Sequence, residues 1–212
     1  MTAYIEVLTE GASDVPVLHE ILTRHWGLHK DVHFRIHPHQ GRGRLPAQCL
    51  SAPDPRHRGL LDQLPAKLRG MAWLPPTALG LVLIDADDDA PQDLLQALER
   101  MLAQLPRRPP RVLFRLAVEE TESWFLADAA AVKASFPQVK LRLLADIAPD
   151  AIVGAWERLA QALGEDVRGV TGARKLAWAQ AIAPHMDFSV VPSPSLQALL
   201  RGLQDYLGSV TA

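Results

Sequence analysis

The chain has 212 residues, 48% of them apolar and 22% charged, with a formal net charge of −2 at pH 7. That length and composition suit a globular fold with a real core and exclude a disordered chain. The near-neutral balance excludes a global basic field, so any contact with nucleic acid has to come from local patches.

Cys49 is the only cysteine, which rules out an intrachain disulfide and a thiolate zinc site and points to a reducing compartment. The opening residues Met-Thr-Ala-Tyr-Ile-Glu-Val lack a signal-peptide pattern. The longest apolar run, Ala78–Ile84, falls far short of the ~20 residues a membrane helix needs. The expectation is a soluble cytoplasmic protein without a membrane segment.

Tyr4–Leu8 is β-branched and aromatic and predicts a strand, broken at Thr9-Glu10-Gly11-Ala12-Ser13. Val15, Leu18, Ile21, Leu22 and Trp26 then recur at helical spacing, predicting a helix from about Asp14 to Trp26. Val32, Phe34 and Ile36 alternate as a second strand, and His37 to Arg58, rich in Pro, Gly, Arg and His, reads as loop. A helix over Gly59–Met71 should be interrupted or bent at Pro65.

Ala78–Ile84 reads as a strand buried on both faces, ending in Asp85-Ala86-Asp87-Asp88-Asp89. Pro91 opens a helix whose stripe is Leu94, Leu95, Leu98, Met101, Leu102 and Leu105. Val112–Val118 is a fourth strand, and Glu119 to Trp124 leads into a single helix through Ala131. Such alternation predicts an α/β fold with a mainly parallel four-stranded, Rossmann-like sheet and helices on both faces. Three helices follow, over about Pro149–Leu163, Thr171–Ala183 and Ser193–Leu207. The division expected is an α/β domain over 1–132 and a helical C-terminal extension over 133–212 packed on it.

Ligands of open parallel sheets bind outside the carboxyl ends of the strands. Three of the four predicted strands end in carboxylates: Glu10 with Asp14, Asp85 with Asp87, and Glu119 with Glu120 and Glu122. Parallel strands would gather them at one edge, where mutual repulsion raises their pKa values unless a cation neutralises them. Oxygen-only donors suit Mg²⁺ or Mn²⁺ rather than zinc. Alternation predicts that Asp85 and Asp87 face the same way. Which of Glu119, Glu120 and Glu122 would bind metal stays open.

Glu10-Gly11 after the first strand and Asp85-x-Asp87 after Leu81-Val82-Leu83-Ile84 resemble the Toprim domain. The chain also resembles a bacterial family of unknown function with a Toprim-like fold, often encoded beside an ATPase of the ABC/AAA type. That likeness lies in Glu120-x-Glu122-Ser-Trp-Phe-Leu-Ala-Asp128, in Gly172-Ala173-Arg174-Lys175 and in Pro194–Leu199, with the basic pair in reversed order. The resemblance implies phosphodiester hydrolysis of the kind seen in overcoming-lysogenization-defect nucleases, in a phage-defence setting with the ATPase as partner.

Glu10, Asp85 and Asp87 are the expected catalytic residues and core ligands, with Asp14, Glu120 and Glu122 completing a site for two ions about 4 Å apart. Glu10 or a metal-bound hydroxide is the candidate general base. Arg42 and Arg44 in Gly41-Arg42-Gly43-Arg44 are the local candidates for holding the nucleic-acid backbone, on a flexible loop. Arg174 and Lys175 join them only through the family pattern.

His33, His37 and His39 have no evident carboxylate partner nearby in sequence and read as packing or surface residues. Asp-x-Asp after an apolar strand also resembles haloacid-dehalogenase-like phosphatases. Those carry it on the first strand with Thr or Val two places on, where this chain has Asp89. The non-enzymatic alternative is a binding or regulatory partner of the ATPase, docked through Ser193–Leu207.

Overall fold

Four apolar runs pair as β1 (Tyr4–Thr9), β2 (Phe34–Pro38), β3 (Ala78–Asp85) and β4 (Val112–Ala117) in the computed structural model, which describes residues 3–211 except 88, 146 and 149. All pairings are parallel and the order is β2-β1-β3-β4. The chain leaves β1 toward one edge, makes β2, then crosses back to place β3 on the other side of β1. The expected α/β architecture is present, and β1 and β3 flank the point where strand order reverses.

Alternation sorts β3 between two cores. Leu79, Leu81 and Leu83 join Ile5 and Val7 on one face, while Val82 and Ile84 join Leu8 on the other. The second face is covered by α2 (Leu60–Gly70) and α3 (Pro91–Gln104), through Leu60, Leu64, Leu68, Leu94, Leu98 and Met101. The first is covered by α1 (Asp14–Glu20) and the later helices. These are α4 (Glu122–Leu126), α5 (Ala129–Ser135), α6 (Ala155–Leu163), α7 (Gly172–Ile182) and α8 (Pro194–Thr211). One apolar cluster runs from Ala3 to Val210, so residues before and after 132 share a core on this face. Tyr206 ties α8 to the sheet, accepting from the Tyr4 N–H at 3.0 Å and donating to the Thr77 carbonyl at 2.7 Å.

Several boundaries differ from expectation for identifiable reasons. The first helix is α-helical only to Glu20 and continues as a π-helix over Ile21–His25. The Thr23 hydroxyl donates to the His19 carbonyl at 2.7 Å, competing with the regular ladder. Val32 stands outside β2, 63% exposed, beyond the left-handed Asp31. Helix α2 runs unbroken through Pro65, because Leu60, Leu61, Leu64 and Leu68 bury against the sheet and outweigh one lost hydrogen bond.

The single helix expected through Ala131 is two. Asp128 breaks it, accepting from the Ala131 N–H at 2.9 Å to cap α5 and from the Asp187 N–H at 3.1 Å. Pro149, the expected start of the next helix, lies outside the described residues, and α6 begins at Ala155. Among the described residues no helix is long and apolar enough to cross a membrane.

Candidate metal centre

The parallel sheet brings the ends of β1, β3 and β4 together, and side chains cross between them. Glu10, just past β1, accepts the Asp85 backbone N–H at the end of β3 through Oε1 at 3.0 Å. Asp14, opening α1, accepts the Gly11 N–H at 3.0 Å and the Thr121 hydroxyl beyond β4 at 3.0 Å. Glu122 opens α4 at 2% exposure. Glu120 accepts from Lys175 Nζ at 2.9 Å through Oε1, while its Oε2 is buried without a hydrogen-bond partner. Lys175, on α7, also lies 3.8 Å from Glu122 and sits 4.9 Å over the Trp156 ring.

These carboxylates are held against their charge. Burial, then the charges of Asp14 and Asp87, push Glu10 up to about 8, although the Asp85 N–H and Arg42 pull the other way. Burial raises Asp14 to about 6 against its two donors. Asp85 stands well above the ordinary range through burial and the charges of Asp14, Glu10, Glu122 and Glu120. Glu120 is pushed to about 7 by burial and by Glu122. Burial also raises Glu122, with Lys175 working against it. Burial disfavours the charge on Lys175, but Glu122 and Glu120 outweigh it and its pKa is raised.

Not every acidic residue at this edge joins the group. The alternation expected to align Asp87 with Asp85 ends with the strand: Asp87 has φ 44° and turns to the exposed rim. There it pairs with Arg42 Nη1 at 3.0 Å. Glu119, also left-handed at φ 63°, accepts the Gly154 and Ala155 N–H groups at 2.5 and 2.8 Å. It thereby caps the first turn of α6, where anionic charge is stabilising.

The four basic residues expected on nucleic acid are also placed differently from one another. Arg42 is committed to Asp87, Asp89 and the Ala86 carbonyl. Arg44 is exposed. Arg174 pairs with Glu165 and stacks near Trp178, whereas Lys175 lies inside the acidic group rather than facing outward. The loop bearing Arg42 and Arg44 is pinned, not free. Gly41 N–H donates to the Glu10 carbonyl at 2.9 Å, and Leu60 and Leu61 N–H donate to the Gly41 and Arg42 carbonyls.

Among the described residues no three His, Cys, Asp or Glu side chains form a ready-made metal-holding group. The donor chemistry nevertheless suits a hard divalent cation. All the donors are carboxylate oxygens, their charges raise one another's pKa, and Glu120 Oε2 lacks a partner where a buried oxygen ordinarily has one. Glu10, Asp14, Asp85, Glu120 and Glu122 are the residues that would hold it, with Asp87 at the rim.

Sequence reading missed a second polar group on the sheet. Glu6, 5% exposed on β1, accepts from the Tyr4 hydroxyl at 2.9 Å and meets His37 Nε2 of β2 at 2.5 Å. The signal was the alternation of Tyr4 and Glu6 on one face of the strand, but the partner is a cross-strand neighbour. The role of Thr121 carried no signal, because nothing local in sequence links a threonine after β4 to Asp14.

A family model described as a domain of unknown function (DUF4276) matches residues 9–204. No curated protein and no solved structure matches the chain significantly. The match runs from the end of β1 into α8 and takes in every residue of the acidic group, so the chain belongs to the family of the domain of unknown function DUF4276.

Proposed function

We propose that this protein is a Mg²⁺- or Mn²⁺-dependent nuclease of the Toprim kind, hydrolysing nucleic-acid phosphodiester bonds. The observation that carries the reading is the convergence of five buried or half-buried carboxylates where the strand order reverses, with Glu120 Oε2 unpartnered. A bound divalent ion would supply Lewis acidity and a water that ionises near neutral pH. The chain's own part is to hold Asp85 and Glu10 in register through the 3.0 Å backbone contact, and Asp14 through Thr121. Without a cation, burial and the charges of Asp14 and Asp87 hold the Glu10 carboxyl at about 8, so it keeps its proton near neutral pH until a cation displaces it. Lys175 offsets the negative charge of Glu120 and Glu122. A cytoplasmic setting, two ions, and an ABC/AAA-type ATPase partner in phage defence belong to the same proposal.

Lys175 also favours a second reading. An ammonium already seated on Glu120 and Glu122 partly neutralises the group and suits a non-catalytic partner of the ATPase. A nuclease assay with Mn²⁺ or Mg²⁺, on wild type and Asp85→Asn, with and without the ATPase, separates the two. Metal-dependent cleavage lost in the variant supports the nuclease. Intact substrate under every condition leaves the partner reading.

A further inference from the structure

The loop over residues 39–59 carries four arginines and one aspartate in a chain whose net charge is −2. It does not float over the sheet edge. Asp62 accepts the Arg44 N–H at 3.1 Å and the Gly59 N–H at 3.2 Å. Gly43 and Gly59 approach so closely that a Cβ on Gly59 would lie 2.5 Å from the Gly43 Cα. The segment from Gly41 to Arg44 is thus fixed beside Glu10.

Two cavities adjoin this segment and share Gly43, Arg44 and Leu45 as a common wall. The first, about 560 Å³, has Leu61 and Leu94 as apolar lining and Arg42, Asp87 and Asp89 as polar lining. It opens beside the carboxylate group, since its wall residue Arg42 follows Gly41, whose N–H donates to the Glu10 carbonyl at 2.9 Å, and bonds the Ala86 carbonyl next to Asp85. The second, about 620 Å³, continues past Arg44 toward Pro46, Pro53 and His57, and its two carboxylates are already engaged, Asp54 by Arg56 and Asp62 by the Arg44 and Gly59 N–H groups. Each has the size of a site for one small organic group.

The charges of the first cavity are already paired, Arg42 with Asp87 and Asp89, so it is ill suited to a phosphate. Leucine side chains beside carboxylates and a guanidinium suit the face and the amino edge of a nucleobase instead. Arg44, exposed between the cavities, suits the backbone. A base stacked inside a duplex cannot descend onto Leu61 and Leu94, whereas an unstacked one can.

We propose that this loop and its two cavities form a track for single-stranded nucleic acid, with one unstacked base lodged against Leu61 and Leu94 and Arg44 on the backbone. The inference rests on the phosphodiester reading and assigns its substrate as a single strand.

The test is fluorescence anisotropy of a labelled single-stranded oligonucleotide, its duplex and an abasic strand of equal length, with the full-length protein in EDTA and again in Ca²⁺. The single strand is expected to bind at least about tenfold more tightly than either the duplex or the abasic strand, since stacking is worth about 1–3 kcal/mol per base. Arg44→Glu should weaken it by about tenfold through a lost phosphate contact. Arg107→Glu, beyond α3 at the opposite sheet edge, should leave it unchanged. Equal binding of duplex or abasic strand, an Arg44→Glu variant like wild type, or no binding in either buffer overturns the proposal. Mn²⁺ calorimetry on the same samples then shows separately whether the carboxylate reading falls too.

Discussion

Glu6 within β1 and Glu10 just past its end are 5% and 8% exposed and are held in opposite ways. Glu6 has a tyrosine hydroxyl on one oxygen and a histidine ring nitrogen at the other. Glu10 has one backbone N–H and the charge of Arg42 in its favour, but burial and the charges of Asp14 and Asp87 outweigh them. The adjacent pair Glu119 and Glu120 repeats the contrast: Glu119 is satisfied by two backbone donors, and Glu120 keeps a buried oxygen without one. Burial by itself therefore does not mark a working carboxylate. What separates the two classes is the presence of further carboxylates, which oppose the charge even where donors are also at hand, as at Asp14 and Glu120.

The contrast breaks most directly at Asp85. Asp85→Asn should lower the proposed metal-dependent hydrolysis by at least about a hundredfold, the scale of a lost acid–base or ligand group. The same variant should raise the melting temperature of the metal-free protein at a pH where Asp85 is ionised, because a neutral amide then replaces a charge facing Asp14, Glu10, Glu122 and Glu120. Loss of activity together with lower stability would place Asp85 among the structural carboxylates instead.

The pH dependence comes next in size. Glu10 near 8, Glu120 near 7 and Asp14 near 6 all stand above their ordinary values of 4.5, 4.5 and 3.8. Between those limits the folded protein binds more protons than the unfolded chain, so metal-free stability is greatest at mildly acidic pH and falls as pH rises toward 8. Each unit of raised pKa is worth about 1.4 kcal/mol. Mn²⁺ should restore the loss, with a larger thermal shift near pH 8 than near pH 6. A thermal shift independent of pH would contradict coupling between the ion and these groups.

Smaller effects sharpen the other side. Glu6→Ala strands the Tyr4 hydroxyl and His37 and should cost about 1–3 kcal/mol in denaturant unfolding, with Mn²⁺ affinity unchanged. Glu119→Ala removes the cap of α6 and should cost about 1 kcal/mol, again without touching metal affinity. A metal-binding defect in either variant would show that the two classes are not separable.

Much of this architecture was readable from local pattern. The Ala78–Ile84 run, Pro91 at a helix start and the leucine stripe behind it specify β3 and α3 by themselves. Parallel strands then bring Glu10, Asp85 and Glu120 to one edge without further information. What could not be read depends on single backbone angles or distant partners. Asp87 leaves the group because its φ is 44°, and Glu119 leaves it because its φ is 63°. Lys175 enters from α7, 55 residues after Glu120, and His37 reaches Glu6 from the adjacent strand. Thr23 and Asp128 changed helices through side-chain hydrogen bonds that periodicity does not register.

The carboxylates beside β1, β3 and β4 are proposed to gather a divalent cation, and calorimetric titration of Mn²⁺ into the wild-type protein and into Asp85→Asn decides whether they do. Saturable binding is expected in the wild type and should disappear in the variant. Absence of binding in the wild type, or equal binding in both, would rule the cation site out.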